Sequence, residues 1–233
     1  MREPETPRQL PLELGFATGY SRDDLVVSPA NSQAVALIDR WPEWPSPVVV
    51  LAGPAGSGKS HLAAIWQANS GATRLEPANI EASLAVVDGA GAVLIDDADS
   101  GYLDQNGLFH LINTFNAGGG RLLLTARRFP LAWGVTLPDL ASRLKAAATI
   151  EIHEPDDLLL AGVITKLFAD RQIEVDQAVV QYLVRRIERS LSTAIRVVDR
   201  LDRLALEQKT RVSRTLAAEV IEAIDQGQTE LDV

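Results

Sequence analysis

The segment VVVLAGPAGSGKS, residues 48–60, decides the fold. Its first four residues form an unbroken apolar run of the kind that is buried in a parallel sheet. Its last eight residues match the pattern G-x-x-x-x-G-K-[ST] in full. A buried strand that leads through a glycine-rich turn into a helix is the arrangement of a phosphate-binding loop. The segment therefore predicts a parallel α/β sheet with a phosphate group bound at its edge.

The residue types of the motif suit a nucleotide phosphate. Glycines let backbone N–H groups turn inward where a side chain would clash, and the positive end of the following helix points at the same anion. Lys59 is expected to reach the β- and γ-phosphates, and the Ser60 hydroxyl to ligate Mg²⁺. The candidate nucleotide-binding residues are Gly53, Pro54, Ala55, Gly56, Ser57, Gly58, Lys59 and Ser60.

A second apolar run, residues 92–95, ends in Asp96 and Asp97. A carboxylate at Asp96 would face the phosphate loop across the sheet and hold Mg²⁺ through water. The alternative is a solvated strand end, because Asp often begins turns. Asp97 is a candidate to orient the attacking water, although its side chain is shorter than the Glu usual in active ATPases.

Strand-like runs at residues 48–51, 92–95, 122–125 and 149–152 alternate with helical patterns, and only helical patterns follow Pro155. This order predicts a doubly wound α/β domain followed by a small all-α domain, whose last apolar face includes Ile195. We expect an N-terminal tail at 1–20, a nucleotide-binding domain at 21–153 and a helical domain at 154–233.

Composition excludes several classes of protein. The net charge of -9 and the pI of about 4.9 argue against a protein that grips DNA directly. The chain has no cysteine, and its three histidines are not paired at metal-ligand spacing. No apolar stretch of about 20 residues occurs, and the N-terminus does not resemble a signal peptide. These features predict a soluble cytoplasmic protein with no membrane partner.

Several further motifs resemble the DnaA/Hda family of AAA+ proteins. LPDLASRL, residues 137–144, resembles the box around the arginine finger of Hda, and VLIDDAD (93–99) and LLLTARRFP (122–130) resemble the second and third nucleotide-site motifs. DLVVSPAN, residues 24–31, resembles the segment that flanks the adenine. The resemblance runs from about residue 9 to the C-terminal helices. It implies a three-layer αβα sheet with a helical lid, and adds Val27 and His61 to the candidate nucleotide-binding residues.

The tail sequence QLPLEL, residues 9–14, resembles the hexapeptide by which Hda and other clients dock on the bacterial sliding clamp. An extended tail can place leucines in an apolar groove while a glutamine makes directional hydrogen bonds. The alternative is that these leucines pack on the protein's own domain. The candidate clamp-binding residues are Gln9, Leu10, Leu12 and Leu14.

Arg143 is the candidate for a function in trans. In the family a guanidinium at this position reaches a neighbour's γ-phosphate, where it neutralises charge that develops in the transition state. The alternative is a surface arginine paired with Asp139 one helical turn away.

The chain departs from the family at three positions. Arg127 stands where the third motif carries Asp, Ser192 aligns with the sensor-2 arginine, and Asp97 replaces the catalytic Glu. Arg189 and Arg196 lie about one turn to either side of Ser192 and are possible substitutes. All three departures affect hydrolysis and none removes nucleotide binding. We therefore expect slow or negligible turnover, with ADP or ATP as a structural ligand and ADP favoured.

The resemblance implies a negative regulator of replication initiation that docks on the sliding clamp and stimulates ATP hydrolysis by ATP-bound DnaA. No helix-turn-helix domain follows the lid in the sequence, so DNA would be contacted only through the clamp. Two alternatives remain open: a small-molecule kinase, and an autonomous ATPase such as a helicase loader. The sequence also leaves open whether the chain forms a homo-oligomer.

Overall fold

A computed structural model describes residues 22, 25–87 and 91–229 of the chain. In this described part, five strands form one parallel sheet in the order β2-β3-β4-β1-β5. The strands are β1 Val48–Ala52, β2 Thr73–Leu75, β3 Ala92–Ile95, β4 Arg121–Ala126 and β5 Ala148–Glu151. The helices of the α/β part are α1 Ser32–Asp39, α2 Lys59–Ser70, α3 Ile80–Ser83, α4 Gln105–Gly118 and α5 Pro138–Ala146.

Strand β1 lies inside the sheet, where all five of its residues are buried. Alternate side chains point to opposite faces, as the period of a strand requires. Val48 and Val50 pack with the helices on one face, and Val49 and Leu51 pack with those on the other. Helices therefore cover both faces of the sheet, and the carboxyl end of β1 opens into the phosphate loop.

Three tryptophans form a cluster behind the phosphate-loop helix. Trp66 on α2 is fully buried, and its ring stacks on Trp44 at 5.0 Å and meets Trp41 edge-on at 5.3 Å. Aromatic rings bury large apolar areas and prefer these two arrangements. The cluster anchors α2, which begins at Lys59, against α1 and the segment that follows it.

Helices alone follow the sheet: α6 Asp157–Asp170, α7 Gln177–Val184, α8 Leu191–Gln208 and α9 Arg214–Thr229. They enclose a separate apolar core that includes Phe168, Leu183 and Val198. The predicted three-layer α/β sheet, followed by a small all-α part, is confirmed. The prediction for Ile195 is wrong: this side chain is exposed, and Ala194 and Val197 face the core.

None of the helices in the described part of the chain is long and apolar enough to cross a lipid bilayer.

Candidate nucleotide-binding site

The phosphate loop runs from the end of β1 to the start of α2. The Gly53 N–H donates to the carbonyl oxygen of Ala126 at 3.1 Å, so the loop starts as a continuation of the sheet. A Cβ atom at Gly53 would overlap the carbonyl oxygen of Ile152. Gly58 has a φ of 95°, which side chains rarely adopt. The glycines therefore stand where close approach and a left-handed turn require them.

Lys59 lies beneath this loop and is buried. Its ammonium donates to the carbonyl oxygens of Gly53 at 2.8 Å and Pro54 at 2.7 Å. Burial lowers the pKa of Lys59 and Arg127 lowers it further, whereas nearby carboxylates, Asp97 first, raise it. A buried cation beside several backbone N–H groups and a helix N-terminus is suited to an anion of high charge.

Asp96 is the centre of a hydrogen-bonded group at the end of β3. Its Oδ1 accepts a hydrogen bond from the Ser60 hydroxyl at 3.2 Å and another from Thr125, and its Oδ2 pairs with Arg74 at 3.2 Å. The hydroxyl oxygen of Ser60 on α2 and a carboxylate oxygen of Asp96, just after β3, are thus within hydrogen-bonding distance. Hydroxyl and carboxylate oxygens are the ligands that Mg²⁺ prefers, so Ser60 and Asp96 fit the predicted magnesium site.

Asp97 occupies a left-handed backbone conformation with a φ of 53°, and its residue is exposed. Its N–H donates to the Thr125 hydroxyl at 3.0 Å. A non-glycine residue in this conformation costs of order 1–3 kcal/mol and is found mostly at functional turns. The hydrogen bond to Thr125 holds Asp97 at the edge of the site.

Asp99 organises the loop that follows β4, a role that sequence reasoning missed. Its carboxylate accepts the N–H groups of Arg127 at 3.0 Å and Arg128 at 3.2 Å, and it pairs with the Arg128 guanidinium at 3.2 Å. The Asp99 side chain is only 6% exposed. It therefore ties the loops after β3 and β4 together beside the phosphate loop.

The lid also contacts the phosphate loop directly. The N–H of Leu191, the first residue of α8, donates to the carbonyl oxygen of Gly56 at 2.8 Å. Ser190 caps the helix by accepting the N–H of Thr193, and its hydroxyl lies 2.8 Å from that of Ser192. A Cβ atom at Gly56, where φ is 72°, would overlap the Ser190 hydroxyl. The amino end of α8 is thus packed on the loop backbone.

The two arginines near Ser192 bond elsewhere. Arg189 pairs with Asp157 at 2.8 Å and donates to the carbonyl oxygen of Pro155 at 3.3 Å. Arg196 donates to the Thr193 hydroxyl at 3.2 Å. Both candidate substitutes for the sensor-2 arginine are therefore bonded to residues of the lid or of the segment that leads into it.

Arg143 lies in the last turn of α5, and its residue is exposed. Leu140 and Leu144 of the same helix are buried and fix α5 against the sheet. Within residues 22, 25–87 and 91–229, the Arg143 side chain makes no hydrogen bond or ion pair, and the alternative pair with Asp139 does not form. The helix thus presents this guanidinium to solvent.

The remaining candidate residues lie around the loop or outside the described residues. His61 is half-buried in the first turn of α2, and Val27 is 43% exposed. A cleft of about 580 Å³ lies between the loop and the lid, and is lined by Pro54, Glu151, His153, Glu154, Asp156 and Arg189. The candidate clamp-binding peptide at 9–14 lies outside the described residues.

Comparison with known proteins shows that this chain is similar to DnaA and to the lid domain of Hda. The family model that describes the Hda lid domain matches residues 163–220. The chromosomal replication initiator protein DnaA of Sphingopyxis alaskensis is 27% identical over 244 residues, which cover 92% of this chain and 53% of the relative. The chain thus spans about half the length of this curated relative.

Solved structures of DnaA share the fold. Domain III of DnaA from Thermotoga maritima matches with a TM-score of 0.74 and 18% identity, over 88% of this chain and 96% of that domain. AMPPCP-bound DnaA from Aquifex aeolicus matches with a TM-score of 0.67 and 18% identity, over 91% of this chain and 70% of that structure.

Proposed function

Because the chain is an AAA+ protein related to DnaA and Hda, we propose that it is a negative regulator of replication initiation that supplies Arg143 to the ATP bound by DnaA. The relation favours DnaA as the partner, since AAA+ domains meet through faces that include the nucleotide. We place this action in the cytoplasm, where DnaA and the clamp work.

The observation that carries this proposal is the state of Arg143. The guanidinium is exposed and has no hydrogen bond or ion pair among the described residues, whereas the helix that bears it is anchored by Leu140 and Leu144. A fixed helix with an uncommitted cation at its end can enter a neighbouring active site without breaking a contact of its own.

The chemical contribution of such a group is electrostatic. Hydrolysis joins a water oxygen to the γ-phosphorus and breaks the bond to the β–γ bridging oxygen, so negative charge develops on the phosphoryl oxygens and the leaving ADP. A guanidinium placed there accelerates the reaction by roughly 10³- to 10⁵-fold in related systems. Arg143 would supply this stabilisation to the ATP of DnaA.

The chain's own site has a different role in this proposal. Lys59, Ser60 and Asp96 suit Mg²⁺ with ADP or ATP, while the exposed Asp97, in its left-handed turn, replaces the longer Glu of active ATPases. Nucleotide bound here would hold the lid and the sheet in one arrangement, with turnover slow or negligible. Gly53 to Ser60 would cradle the phosphates, with His61 and Val27 nearby.

Docking on the sliding clamp is the second part of the proposal. Gln9, Leu10, Leu12 and Leu14 would occupy an apolar groove of the clamp. Clamp loaded on DNA would then bring the chain close to DnaA, so that DNA is contacted only indirectly. Tethering raises the effective concentration of Arg143 at its target without any new contact to DnaA.

The test is hydrolysis by ATP-bound DnaA in the presence of clamp-loaded DNA. The parent chain, Arg143→Ala and Gln9→Ala are compared with Arg211→Ala, which removes an exposed arginine that has no partner among the described residues. Stimulation by the parent and Arg211→Ala, with its loss in the other two variants, supports the proposal. ATP hydrolysis that does not depend on the clamp and is unchanged by Arg143→Ala and Gln9→Ala would indicate an autonomous ATPase or kinase instead.

A further inference from the structure

The positive charge of the chain is concentrated in one part of the lid. Residues 185–214 hold nine of the 22 Lys and Arg residues but only four of the 31 Asp and Glu residues. The net charge of -9 is therefore an average over a basic segment and an acidic remainder. The local excess of cations, and not the charge of the whole chain, decides where a polyanion can bind.

The two aspartates in the middle of α8 are already paired. Asp199 and Asp202 both form ion pairs with Arg171, which directly follows α6. The Arg171 side chain is only 16% exposed, and its guanidinium also donates to the carbonyl oxygen of Leu167 at 2.8 Å. These two carboxylates hold α8 against α6, so they do not neutralise the other charges of the helix.

The arginines of α8 lie on another side of the helix. Arg196, Arg200 and Arg203 are exposed, and their spacing of four and three residues places them in one row, the α8 arginine row. Among the described residues, Arg200 and Arg203 have no hydrogen bond or ion pair, and Arg196 donates only to the Thr193 hydroxyl. Glu207 is exposed one turn beyond Arg203 but forms no ion pair with it in this part of the chain. The row thus presents three cations that have no carboxylate partner there.

A recess beside the row gives it a concave side. A cavity of about 270 Å³ lies between α8 and α9 and is lined by Arg196, Arg200, Ala223 and Ile224. Two guanidiniums border this recess, so a phosphate group seated there can accept hydrogen bonds from both. The exposed carboxylates of α9, Glu219 and Glu222, do not line it.

The length of the row suits a phosphate backbone. Arg196 and Arg203 are seven helical residues apart, which corresponds to about 10 Å along the helix axis. The phosphates of one DNA strand follow each other about every 3.4 Å along the duplex axis. The row can therefore face about three successive phosphates.

The described part of the lid offers no aromatic platform for unpaired bases. Its Phe168 is buried, and its Tyr182 is half-buried beneath the guanidiniums of Arg186 and Arg214, at 5.6 and 4.9 Å from the ring centre. Proteins that bind single strands stack the bases on exposed aromatic side chains. The α8 arginine row therefore fits the backbone of a duplex better than a single strand.

We propose that the α8 arginine row binds the phosphate backbone of duplex DNA without regard to sequence. This inference goes beyond the proposed function, in which DNA is reached only through the clamp, and it depends neither on Arg143 nor on a bound nucleotide. The contact is weak by itself, because the remainder of the chain is acidic and repels the same backbone. Beside a clamp that encircles DNA, it would fix the orientation of the chain on the duplex.

The experiment is a titration of a short fluorescent duplex of mixed sequence with the full chain at several salt concentrations. The parent is compared with Arg200→Gln/Arg203→Gln, which removes two exposed cations that have no partner among the described residues. We expect the parent to bind with a Kd of about 10⁻⁴ to 10⁻⁶ M, as is usual for contacts that do not read sequence. The double variant should bind about tenfold more weakly, and the slope of log affinity against log salt should become shallower by about two.

Matched variants separate the position of the charge from its amount. Arg40→Gln/Lys145→Gln removes two exposed cations of the α/β part that likewise have no described partner, so affinity should stay within about twofold of the parent. Arg200→Lys/Arg203→Lys keeps both charges and should keep most of the affinity. Thermal unfolding checks that each variant is folded. Arg203→Gln alone, with about half of the slope change, is the test if the double variant is unstable.

Absence of duplex binding by the parent would overturn the inference, and so would equal affinities of Arg200→Gln/Arg203→Gln and its matched control. Tighter binding of the corresponding single strand would overturn the assignment to duplex DNA. Loss of binding to vesicles of anionic phospholipid, with duplex binding unchanged, would make the row a membrane-binding surface instead. None of these measurements involves DnaA or Arg143, so the proposed function is tested separately.

Discussion

Leu191 donates its backbone N–H to the carbonyl oxygen of Gly56 at 2.8 Å, so the first residue of the long lid helix is bonded to the phosphate loop. These residues are distant in the sequence, since one belongs to the loop after β1 and the other to α8. Through this contact a ligand bound to the loop can affect the lid. The contact also restricts the size of the side chain that position 56 can accept.

Gly56→Ala is expected to loosen this contact. Its left-handed backbone alone costs about 1–2 kcal/mol with a side chain present, and the new Cβ would also overlap the Ser190 hydroxyl, which adds about 1–3 kcal/mol. Urea unfolding measures the loss. Gly71→Ala is the matched control, because Gly71 has a φ of 67° but open space around its Cβ position. Equal losses in both variants would show that the lid does not constrain residue 56.

Asp99→Ala should destabilise the fold and the loop that carries Arg127. The nearly buried carboxylate accepts two backbone N–H groups, and a donor left without its partner costs about 1–3 kcal/mol. Thermal unfolding should therefore occur at a lower temperature. Glu174→Ala, at an exposed site with no partner among the described residues, should change stability by less than about 0.5 kcal/mol. Indistinguishable effects of the two substitutions would contradict this role of Asp99.

Nucleotide affinity should fall at alkaline pH through Lys59. Burial lowers the pKa of Lys59 below its usual value of 10.5, although the nearby Asp97 carboxylate raises it, and Arg127 lowers it further. A bound polyphosphate favours the charged ammonium, so binding takes up a proton once the pH exceeds this lowered pKa, and affinity then decreases by up to about tenfold per pH unit. Titration calorimetry across the alkaline range measures the slope. Lys59→Arg stays charged, so the same slope in that variant would assign the effect to another group.

The same linkage affects stability in the absence of nucleotide, with the opposite sign. The unfolded chain holds the Lys59 proton up to its ordinary pKa of 10.5, whereas the folded chain releases it earlier. Between the two pKa values the unfolded state binds more protons, so this residue makes the free energy of unfolding rise with pH. Urea unfolding of the parent and Lys59→Met across this window should diverge, and parallel curves would contradict it.

Intrinsic hydrolysis by the purified chain should be slower than about 1 s⁻¹, the low end of common enzyme rates. The reason is the exposed Asp97 in its left-handed turn, together with Arg189 and Arg196 of the lid, which are bonded to Asp157 and Thr193. A sensitive phosphate-release assay on the isolated protein checks this. Faster turnover that is lost in Asp97→Asn would make the chain an active ATPase.

The sheet and the phosphate loop follow from local patterns, which is why the sequence predicts them. The strand-like runs predicted at 48–51, 92–95, 122–125 and 149–152 correspond to β1, β3, β4 and β5, and Ser60 meets Asp96 because parallel strands end at one edge of the sheet. Strand β2 escapes prediction, since it has only three residues and two of them are exposed. On α8 the buried side is carried by Ala194 and Val197, not by the larger Ile195, because helix phase and not side-chain size decides the face.

The tertiary part of the site could not be predicted from spacing. Asp99 binds residues 28 and 29 positions away, and Leu191 bonds to Gly56 of the phosphate loop, which lies far from it in the sequence. Periodicity reports which residues share a face of one element, but not which two elements meet. Among the described residues the Arg127 guanidinium has no partner, and this is likewise visible only once the partners of Asp96 and Asp99 are known.

The most direct measurement follows radiolabelled ATP that is pre-bound to DnaA and then mixed with this chain on clamp-loaded DNA. The proposed role of Arg143 predicts rapid release of labelled phosphate with the parent and with Arg211→Ala. Release with Arg143→Ala should be slower by roughly 10³-fold or by the full stimulation, and Arg143→Lys should recover little of it. Undiminished stimulation by Arg143→Ala would contradict the central claim that this guanidinium acts in trans.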